Sequence, residues 1–359
     1  MSASSDHYLI TGGAGFVGSS LALALRRDHP KAKITALDNL KRRGSELTLH
    51  RLAEGGVEFL HGDIRSPEDL EAAGPFDVMI ECSAEPSVHA GYGGSPAYLL
   101  NTNLVGTINC LEQARKHKAS VVFLSTSRVY PIATLRELPL ETHGDRLRIV
   151  PGARGVGWSE NGIGEDFPLN GSRSLYGTTK LASELLIEEY RALYGMKAIV
   201  NRCGVLTGPW QMGKVDQGVV VLWAARHLFG GKLSYMGFGG HGTQVRDMLH
   251  VDDLYDLLAL QLANLDRHDG QVYNVGGGME VSASLRELTD ACRRLSGCRL
   301  DTGQVPETRG ADMPWYVTDC SRIEAQTGWR PKRGLDVILT DIFQWLKDHR
   351  AQLEPILSL

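Results

Sequence analysis

The chain has 359 residues, of which 42% are hydrophobic and 22% are charged. This composition is typical of a folded globular protein and excludes wholesale disorder. Lys and Arg total 38 against 42 Asp and Glu, so the net charge is −4. The chain therefore lacks the basic excess that a nonspecific nucleic-acid binder needs, and we expect no nucleic-acid partner.

The apolar residues are spread in short runs. No run approaches the roughly 20 apolar residues that are needed to cross a bilayer, and the N-terminal residues are polar. We therefore predict a cytoplasmic protein without a membrane partner. The six cysteines are scattered and none forms a pair at zinc-site spacing, so reduced thiols and no metal site are expected.

Short β-branched runs alternate with amphipathic helical stretches through the first half of the chain. Strands are predicted at residues 8–11, 33–37, 57–60, 78–81, 121–124 and 198–201. Helices are predicted between them, at residues 15–26, 97–116 and 175–194. This alternation predicts an α/β fold with a Rossmann-type doubly wound parallel sheet, covered by helices on both faces.

Beyond residue 202 the pattern becomes irregular. Glycine-rich segments separate helices that are predicted near residues 215–229, 252–263, 282–295 and 334–350. We predict a nucleotide-binding domain of residues 1–202 plus about 243–275. A smaller C-terminal α/β substrate lobe would take about 203–242 plus 276–359. Segment 144–172, rich in Gly and Arg with little periodicity, is expected to be a functional or mobile loop.

A glycine motif follows the first predicted strand. Gly12, Gly15 and Gly18 open the first helix, where a tight turn and free N–H groups at a helix N-terminus suit a pyrophosphate. A glycine-rich turn without a ligand is the alternative. Asp38 ends the second strand, where a carboxylate accepts hydrogen bonds from ribose hydroxyls and favours NAD over NADP. Asp63 ends the third strand and is placed to meet the adenine, although such a residue alone also suits a surface turn.

A second motif lies on the long helix predicted at residues 175–194. Tyr176 and Lys180 are four residues apart and therefore share a helix face. A neighbouring ammonium stabilises a phenolate, and lowering a Tyr pKa from about 10 to about 7 takes roughly 4 kcal/mol. Such a Tyr is a base for a substrate hydroxyl. Two amphipathic surface residues are the alternative. Thr126, at the end of a neighbouring strand, would place a hydroxyl on the same substrate oxygen.

These motifs together resemble the extended short-chain dehydrogenase/reductase family, specifically its NAD-dependent nucleotide-sugar epimerases and dehydratases. The resemblance covers nearly the whole chain. It rests on residues 11–18, 38–40, 62–65, 103–107, Thr126, Tyr176 with Lys180, 244–247 and 328–331.

The resemblance implies a catalytic set of Thr126, Tyr176 and Lys180, with NAD as cofactor. Cofactor contacts are implied for Gly12, Gly15, Phe16, Val17, Gly18, Asp38, Asn39, Asp63, Ile64, Cys82, Ser83, Ala84, Asn103, Ser125, Tyr176, Lys180 and Cys203. Contacts to a nucleotide-diphosphate sugar are implied for Arg128, Gln211, Gln217, Arg246 and Arg309, the last two on the pyrophosphate. Relatives often dimerise through helices 97–116 and 175–194, so a homodimer or higher homo-oligomer is expected.

The residues after Thr126 separate the activities of the family. Its 4,6-dehydratases carry Asp-Glu there, because elimination needs an acid and a base, whereas this chain has Ser127 and Arg128. Arg128, Gln211 and segments 216–218 and 244–250 are most similar to the CDP-paratose 2-epimerases (CDP-tyvelose epimerases). We predict an epimerase that removes a hydride to form a keto-sugar and returns it to the opposite face. Another epimerase, a reductase, a decarboxylase or a non-catalytic NAD-sensing module are the alternatives.

Overall fold

The computed structural model describes residues 7–214 and 217–358. The described chain forms two compact units. The first unit contains residues 7–129, Ser174–Arg202 and Leu254–Tyr273, and the second contains Tyr130–Arg173, Cys203–Asp253 and residues 274–358. Residues 130–173 and 243–253, which the sequence analysis assigned to the nucleotide-binding domain, group with the second unit instead.

The strands of the described residues are short. In chain order they are β1 (His7–Thr11), β2 (Lys33–Asp38), β3 (Glu58–His61), β4 (Val78–Glu81), β5 (Ser120–Thr126), β6 (Leu140–His143), β7 (Arg146–Ile149), β8 (Trp158–Ser159), β9 (Gly162–Ile163), β10 (Ala198–Cys203), β11 (Val205–Thr207), β12 (Leu233–Met236), β13 (Val245–His250), β14 (Val272–Val275), β15 (Ser282–Ser284), β16 (Thr302–Val305) and β17 (Trp315–Tyr316).

The α-helices vary from one turn to more than five. In chain order they are α1 (Phe16–Asp28), α2 (Thr48–Glu54), α3 (Pro67–Glu71), α4 (Ala97–Leu100), α5 (Gly106–His117), α6 (Ile132–Arg136), α7 (Leu175–Tyr194), α8 (Val219–Phe229), α9 (Val251–Ala263), α10 (Leu265–His268), α11 (Leu285–Ser296), α12 (Ser321–Thr327), α13 (Leu335–Asp348) and α14 (Arg350–Leu357). No helix of the described chain is long and apolar enough to cross a membrane.

A seven-stranded sheet has the order β14-β10-β5-β4-β1-β2-β3. Its pairs β1–β2, β1–β4, β2–β3 and β4–β5 are parallel. Every residue of β1 and β4 is buried, as a strand covered by helices on both faces requires. The predicted doubly wound parallel sheet is confirmed. Since the carboxyl ends of parallel strands share one edge, Thr11, Asp38, Glu81 and Thr126 are brought to that edge.

The second unit has a smaller mixed sheet. Strand β13 pairs in parallel with β11 and β17 and antiparallel with β15. Helices α8, α11 and α13 pack against one another. The apolar face predicted for the last long helix is present, because Ile338, Leu339, Ile342 and Leu346 are buried on α13.

Three predicted elements differ from the structure. The predicted helix 97–116 consists of α4 and α5 joined by a π-helical turn, Asn101–Val105. The predicted helix 282–295 begins with β15, because the Ser284 hydroxyl caps α11 in a reciprocal pair with Glu287. Segment 144–172 is not an irregular loop throughout, since it contains β7, β8 and β9, with β7 paired to β6. Residue 215, at the start of the predicted helix 215–229, lies outside the described residues.

Candidate active site

The glycine motif forms the turn between β1 and α1. Gly12 has a φ of 65°, a conformation that favours glycine, and its carbonyl accepts the Gly15 N–H at 3.0 Å. A Cβ on Gly18 would lie 2.2 Å from the Gly12 oxygen. Helix α1 then starts at Phe16 with no acidic residue in its first turn and no side-chain cap. Its N-terminus therefore presents partial positive charge to an anion.

Asp38, at the end of β2, is hydrogen-bonded to this turn. Its carboxylate accepts the Ala14 N–H at 3.1 Å and the Leu40 N–H at 2.8 Å. Burial raises the pKa of Asp38, while these backbone N–H groups favour its charged form. The carboxylate lies beside the glycine turn, where a ribose acceptor is required.

Asp63 binds two side chains, one from the residue that follows β2 and one from two positions further along the chain. It accepts the Asn39 side-chain amide at 2.8 Å and the Arg65 guanidinium at 2.6 Å. The Arg65 hydrogen bonds lower the pKa of Asp63 to about 2. The next residue, Ile64, is 4% exposed and belongs to the core, where a Cβ on Gly106 would lie 2.5 Å from its side chain. Ile64 therefore shapes this edge through packing.

The segment after β4 lies against the glycine turn. A Cβ on Gly12 would be 3.0 Å from backbone atoms of both Cys82 and Ser83. Ala84 is half-buried beside them. The fully buried Asn103 accepts the Glu85 N–H at 2.7 Å and donates to Thr179 of α7 at 3.3 Å. Asn103 thus fixes this segment relative to α7.

Helix α7 carries Tyr176 in its first turn. The Ser174 hydroxyl caps the helix by accepting the Gly177 N–H at 3.2 Å, and the first turn holds no acidic residue. The positive end of the helix dipole therefore favours an anionic form of the half-buried Tyr176. Lys180 follows one turn later on the same face and is only 2% exposed.

The Lys180 ammonium lies between an anion and an aromatic ring. Its Nζ is 3.4 Å from Glu81 Oε2 and 4.3 Å from the centroid of the Phe123 ring. Glu81, the last residue of β4, is 1% exposed. Burial raises the pKa of Glu81, and the nearby Lys180 charge opposes that change.

A second buried ion pair lies further along α7. Arg202 donates to both carboxylate oxygens of Glu184 at distances between 2.7 and 3.2 Å, and the Ser125 hydroxyl also donates to Glu184. The side chains of this pair are 7% and 6% exposed. Two parallel N–H···O bonds from a guanidinium are strong and geometrically specific. Through Ser125, the pair fixes the end of β5 to α7.

Thr126 is the last residue of β5 and is 7% exposed. Its hydroxyl oxygen accepts the Arg128 backbone N–H at 3.2 Å, which leaves the hydroxyl hydrogen to donate elsewhere. Helix α7 contacts both β5 and the 3₁₀ turn Ser127–Val129. The first unit therefore brings the predicted catalytic residues to neighbouring elements at one edge of its sheet.

The predicted sugar-nucleotide residues, apart from Arg128, lie in the second unit. Arg246 donates to the carbonyl oxygens of Val245 at 2.7 Å and Met313 at 2.6 Å. The Arg309 guanidinium lies 3.5 Å from the Met236 sulfur. Both arginines are half-buried. Arg246 belongs to β13, and Arg309 lies next to the last residue of β12.

The remaining predicted residues of this unit have local partners. Gln211 accepts from the Thr207 hydroxyl at 3.1 Å and donates to the Leu206 carbonyl at 2.9 Å. Gln217 forms backbone hydrogen bonds with Lys214, and Asp216 lies outside the described residues. Cys203, at the end of β10, is 4% exposed.

Sequence reasoning missed three charged residues, Glu81, Glu184 and Arg202. Glu184 had a signal, because it continues the four-residue spacing of Tyr176 and Lys180 along one helix face. Glu81 had another, since it ends an apolar strand whose other residues are all buried. Arg202 carried no local signal, because its partner is 18 residues away in sequence.

The observed edge fits a dinucleotide. The glycine turn allows a close backbone approach, α1 offers an uncapped N-terminus, and Asp38 supplies a carboxylate beside the turn. The turn also packs tightly on β2, since a Cβ on Gly13 would lie 2.6 Å from Ala36. These residues would hold the cofactor that the motif order predicts.

Comparison with known proteins places the chain among sugar-nucleotide enzymes. A family profile described as the NAD dependent epimerase/dehydratase family matches residues 8–276. A CDP-paratose 2-epimerase of Salmonella typhi is 28% identical over 350 residues, covering 94% of this chain and 98% of that protein. A dTDP-glucose 4,6-dehydratase of Streptomyces antibioticus is 30% identical over 357 residues, covering 97% and 94%.

A solved structure agrees with both relatives. The dTDP-glucose 4,6-dehydratase of Streptomyces venezuelae, crystallised with NAD and TYD bound, superposes with a TM-score of 0.77 at 28% identity. The match covers 98% of this chain and 99% of that one. Similarity therefore extends over whole chains, to relatives with either activity.

Proposed function

Because the chain belongs to the NAD dependent epimerase/dehydratase family and has NAD as its cofactor, we propose that it is a nucleotide-sugar epimerase similar in activity to CDP-paratose 2-epimerase. The observation that carries this proposal is the turn after Thr126. It holds Ser127 and Arg128 in place of a carboxylate pair, beside a helix that carries Tyr176 and Lys180 on one face.

The proposed chemistry uses three side chains of the first unit. Bound NAD supplies the acceptor for a hydride and later the donor that returns it. The Tyr176 phenolate oxygen accepts the proton of the sugar hydroxyl, and the same phenol returns that proton when the hydroxyl forms again. The Thr126 hydroxyl hydrogen orients the reacting oxygen, and the Lys180 ammonium and the α7 dipole both stabilise the phenolate.

The turn after Thr126 argues against dehydration. Loss of water from a sugar needs an acid that protonates the leaving hydroxyl and a base that removes a carbon-bound proton. Ser127 is 7% exposed and is a poor acid, and Arg128 cannot lose its proton near neutral pH. Inversion through a keto-sugar needs neither group, so the proton is exchanged by Tyr176 alone.

Recognition of the nucleotide diphosphate is assigned to the second unit. Arg246 and Arg309 carry guanidinium groups, which suit paired phosphate oxygens better than an ammonium does. Arg246 already spends donors on two backbone carbonyls. These bonds fix the plane of the guanidinium that we assign to the phosphate.

Purified protein loaded with NAD, incubated with CDP-paratose and with UDP-, dTDP- and other CDP-sugars, tests the proposal. Proton NMR of the sugar should show an epimer of at least one substrate, without net NADH release. A 4-keto-6-deoxy product from dTDP-glucose would instead establish a dehydratase, and no product from any nucleotide sugar would contradict both activities.

We further propose that the protein is a cytoplasmic homodimer that associates through α5 and α7. Leu185, Leu193 and Tyr194 of α7 are apolar residues that are 57%, 69% and 54% exposed. Large apolar side chains on one helix favour association with a second copy. Sedimentation velocity should give twice the chain mass, and Leu193→Glu should shift the equilibrium toward the monomer; a wild-type monomer at micromolar concentration would contradict this.

A further inference from the structure

Glu81 is a buried acid that the proposed chemistry does not use. It ends β4, where the other residues of the strand form the apolar core, and it is 1% exposed. Its Oε1 lacks a partner of good hydrogen-bond geometry, although the Thr11 hydroxyl of the adjacent strand β1 and the Ser83 N–H are near enough to favour its charged form. Burying an incompletely paired carboxylate is costly, so such a group in a native fold calls for an explanation.

The partner of Glu81 is the Lys180 ammonium, 3.4 Å from Oε2. The ammonium also faces the Phe123 ring at 4.3 Å, so a carboxylate and an aromatic face together define its position. An ammonium has three N–H donors, and a bond to Glu81 uses one of them. The proposed chemistry assigns the other two to the cofactor side and to the phenol of Tyr176.

The other buried ion pairs are built differently. Glu184 accepts from Arg202 through both oxygens and from Ser125 as well. In the second unit, Asp253 accepts from the Arg333 guanidinium and from two backbone N–H groups. Those carboxylates are fully satisfied anchors of the fold. Glu81 pairs instead with an ammonium at 3.4 Å through one oxygen, and that ammonium belongs to the proposed catalytic lysine.

We propose that Glu81 is a positioning residue, which orients the Lys180 ammonium and whose negative charge sets the pH at which Tyr176 ionises. This inference rests on the proposed role of Tyr176 as the base. The carboxylate balances the lysine charge, so the phenol experiences a weakened positive field. Glu81 thereby holds Lys180 in place. It also raises the pH at which Tyr176 loses its proton, compared with a lysine that has no carboxylate beside it.

The sign of the effect follows from Coulomb's law. A negative charge near a phenol opposes its ionisation, and removing that charge favours the phenolate. Glu81→Gln keeps the side-chain shape and an acceptor oxygen but removes the charge. The ionisation midpoint of Tyr176 should then fall by roughly 0.5 to 1 pH unit.

The test is a titration of NAD-loaded protein that does not require turnover. The near-ultraviolet absorbance of ionised phenol is followed against pH for wild type and Glu81→Gln, each with Tyr176→Phe as the subtracted background. Glu81→Asp, which keeps the charge, should have a midpoint closer to wild type than Glu81→Gln has. Asp269→Asn, which removes a half-exposed pair with Arg191 elsewhere on the unit, should leave the midpoint unchanged.

Three results would overturn the proposal. The first is a folded Glu81→Gln protein whose midpoint equals or exceeds that of wild type. The second is a Glu81→Asp midpoint that falls as far as that of Glu81→Gln. If Glu81→Gln does not fold, Glu81→Met provides the same uncharged comparison, and an unchanged or raised midpoint is the third.

The wild-type titration separates this inference from the proposed function. A Tyr176 transition well below that of an ordinary tyrosine supports the proposed base. Its absence would remove both proposals. Its presence together with an unshifted Glu81→Gln midpoint would remove only the role of Glu81.

Discussion

The proposed catalytic residues and the proposed substrate residues are held in different ways in the two units. In the first unit, Lys180 and Arg202 are almost fully buried and each faces a buried carboxylate. In the second unit, Arg246 and Arg309 belong to half-buried residues, and their partners are backbone carbonyls or a methionine sulfur.

The two sets of charges therefore differ in burial and in the charge of these partners. A buried ion pair keeps its geometry whether or not a ligand is present, because breaking it would leave an unpaired charge out of water. A guanidinium on a half-buried residue remains partly in contact with solvent, and its planar N–H groups suit paired phosphate oxygens. This contrast agrees with the proposed division of roles, in which the first unit carries the chemistry and the second binds the substrate.

The largest expected effect is loss of turnover in the first unit. Tyr176→Phe should lower kcat by roughly 10³- to 10⁴-fold, because the proton acceptor is removed while the ring remains. The amount of NAD that stays with the purified protein should not change. Tyr190→Phe, on the same helix but bonded to Glu112, is the matched control and should keep wild-type kcat. Equal loss in both variants would show that the helix, and not the phenol, is responsible.

The next effect concerns stability. Glu184→Gln leaves the buried Arg202 charge without its carboxylate, so the free energy of unfolding should fall by about 3–5 kcal/mol in a urea titration. The control is Glu141→Gln in the second unit, where the pair with Arg148 is 39% and 38% exposed. That variant should change the free energy by less than about 1 kcal/mol. Similar losses at both sites would erase the contrast between the units.

Substrate affinity should respond in the second unit. Arg246→Ala removes a guanidinium from the proposed pyrophosphate site, so KM should rise by roughly 10- to 100-fold with kcat changed by less than about threefold. Arg286→Ala, which breaks an exposed pair with Asp145, serves as the control and should leave KM unchanged. A fall in kcat with constant KM would instead assign Arg246 to the chemistry.

The smallest effect is a pH dependence of stability in the first unit. Asp63 has a pKa of about 2 beside Arg65, below the value of about 4 in an unfolded chain. Its carboxylate therefore stabilises the fold above about pH 4, and this contribution disappears as the pH falls through 2.

Asp63→Asn measures that contribution. Solvent around the partly exposed Arg65 limits it to about 1 kcal/mol, so the variant should be less stable than wild type by about that amount at pH 7. Denaturant titrations at several pH values should show the two proteins converging as the medium becomes acidic. A difference that stays constant down to pH 2 would contradict this.

The sequence predicted the structure best where all the residues of a motif lie within one turn or one helix. The glycine turn with Gly12 and Gly18, and the spacing of Tyr176 and Lys180, depend on neighbours a few residues apart. Both the turn and the helix are present as predicted. The short strands of the second unit were missed, since their pairing depends on distant residues, as when Val245 of β13 pairs with Ser284 and Trp315.

The local sequence by itself determined the alternation of strands and helices, the turn at the end of β1 and the face of α7 that carries the proposed base, because turn conformation and hydrophobic periodicity are short-range properties. Only the tertiary structure decided that Lys180 meets Glu81 across 99 residues of sequence and that Arg202 meets Glu184. Electrostatic partners are chosen by distance and burial in three dimensions, and a linear pattern carries neither quantity.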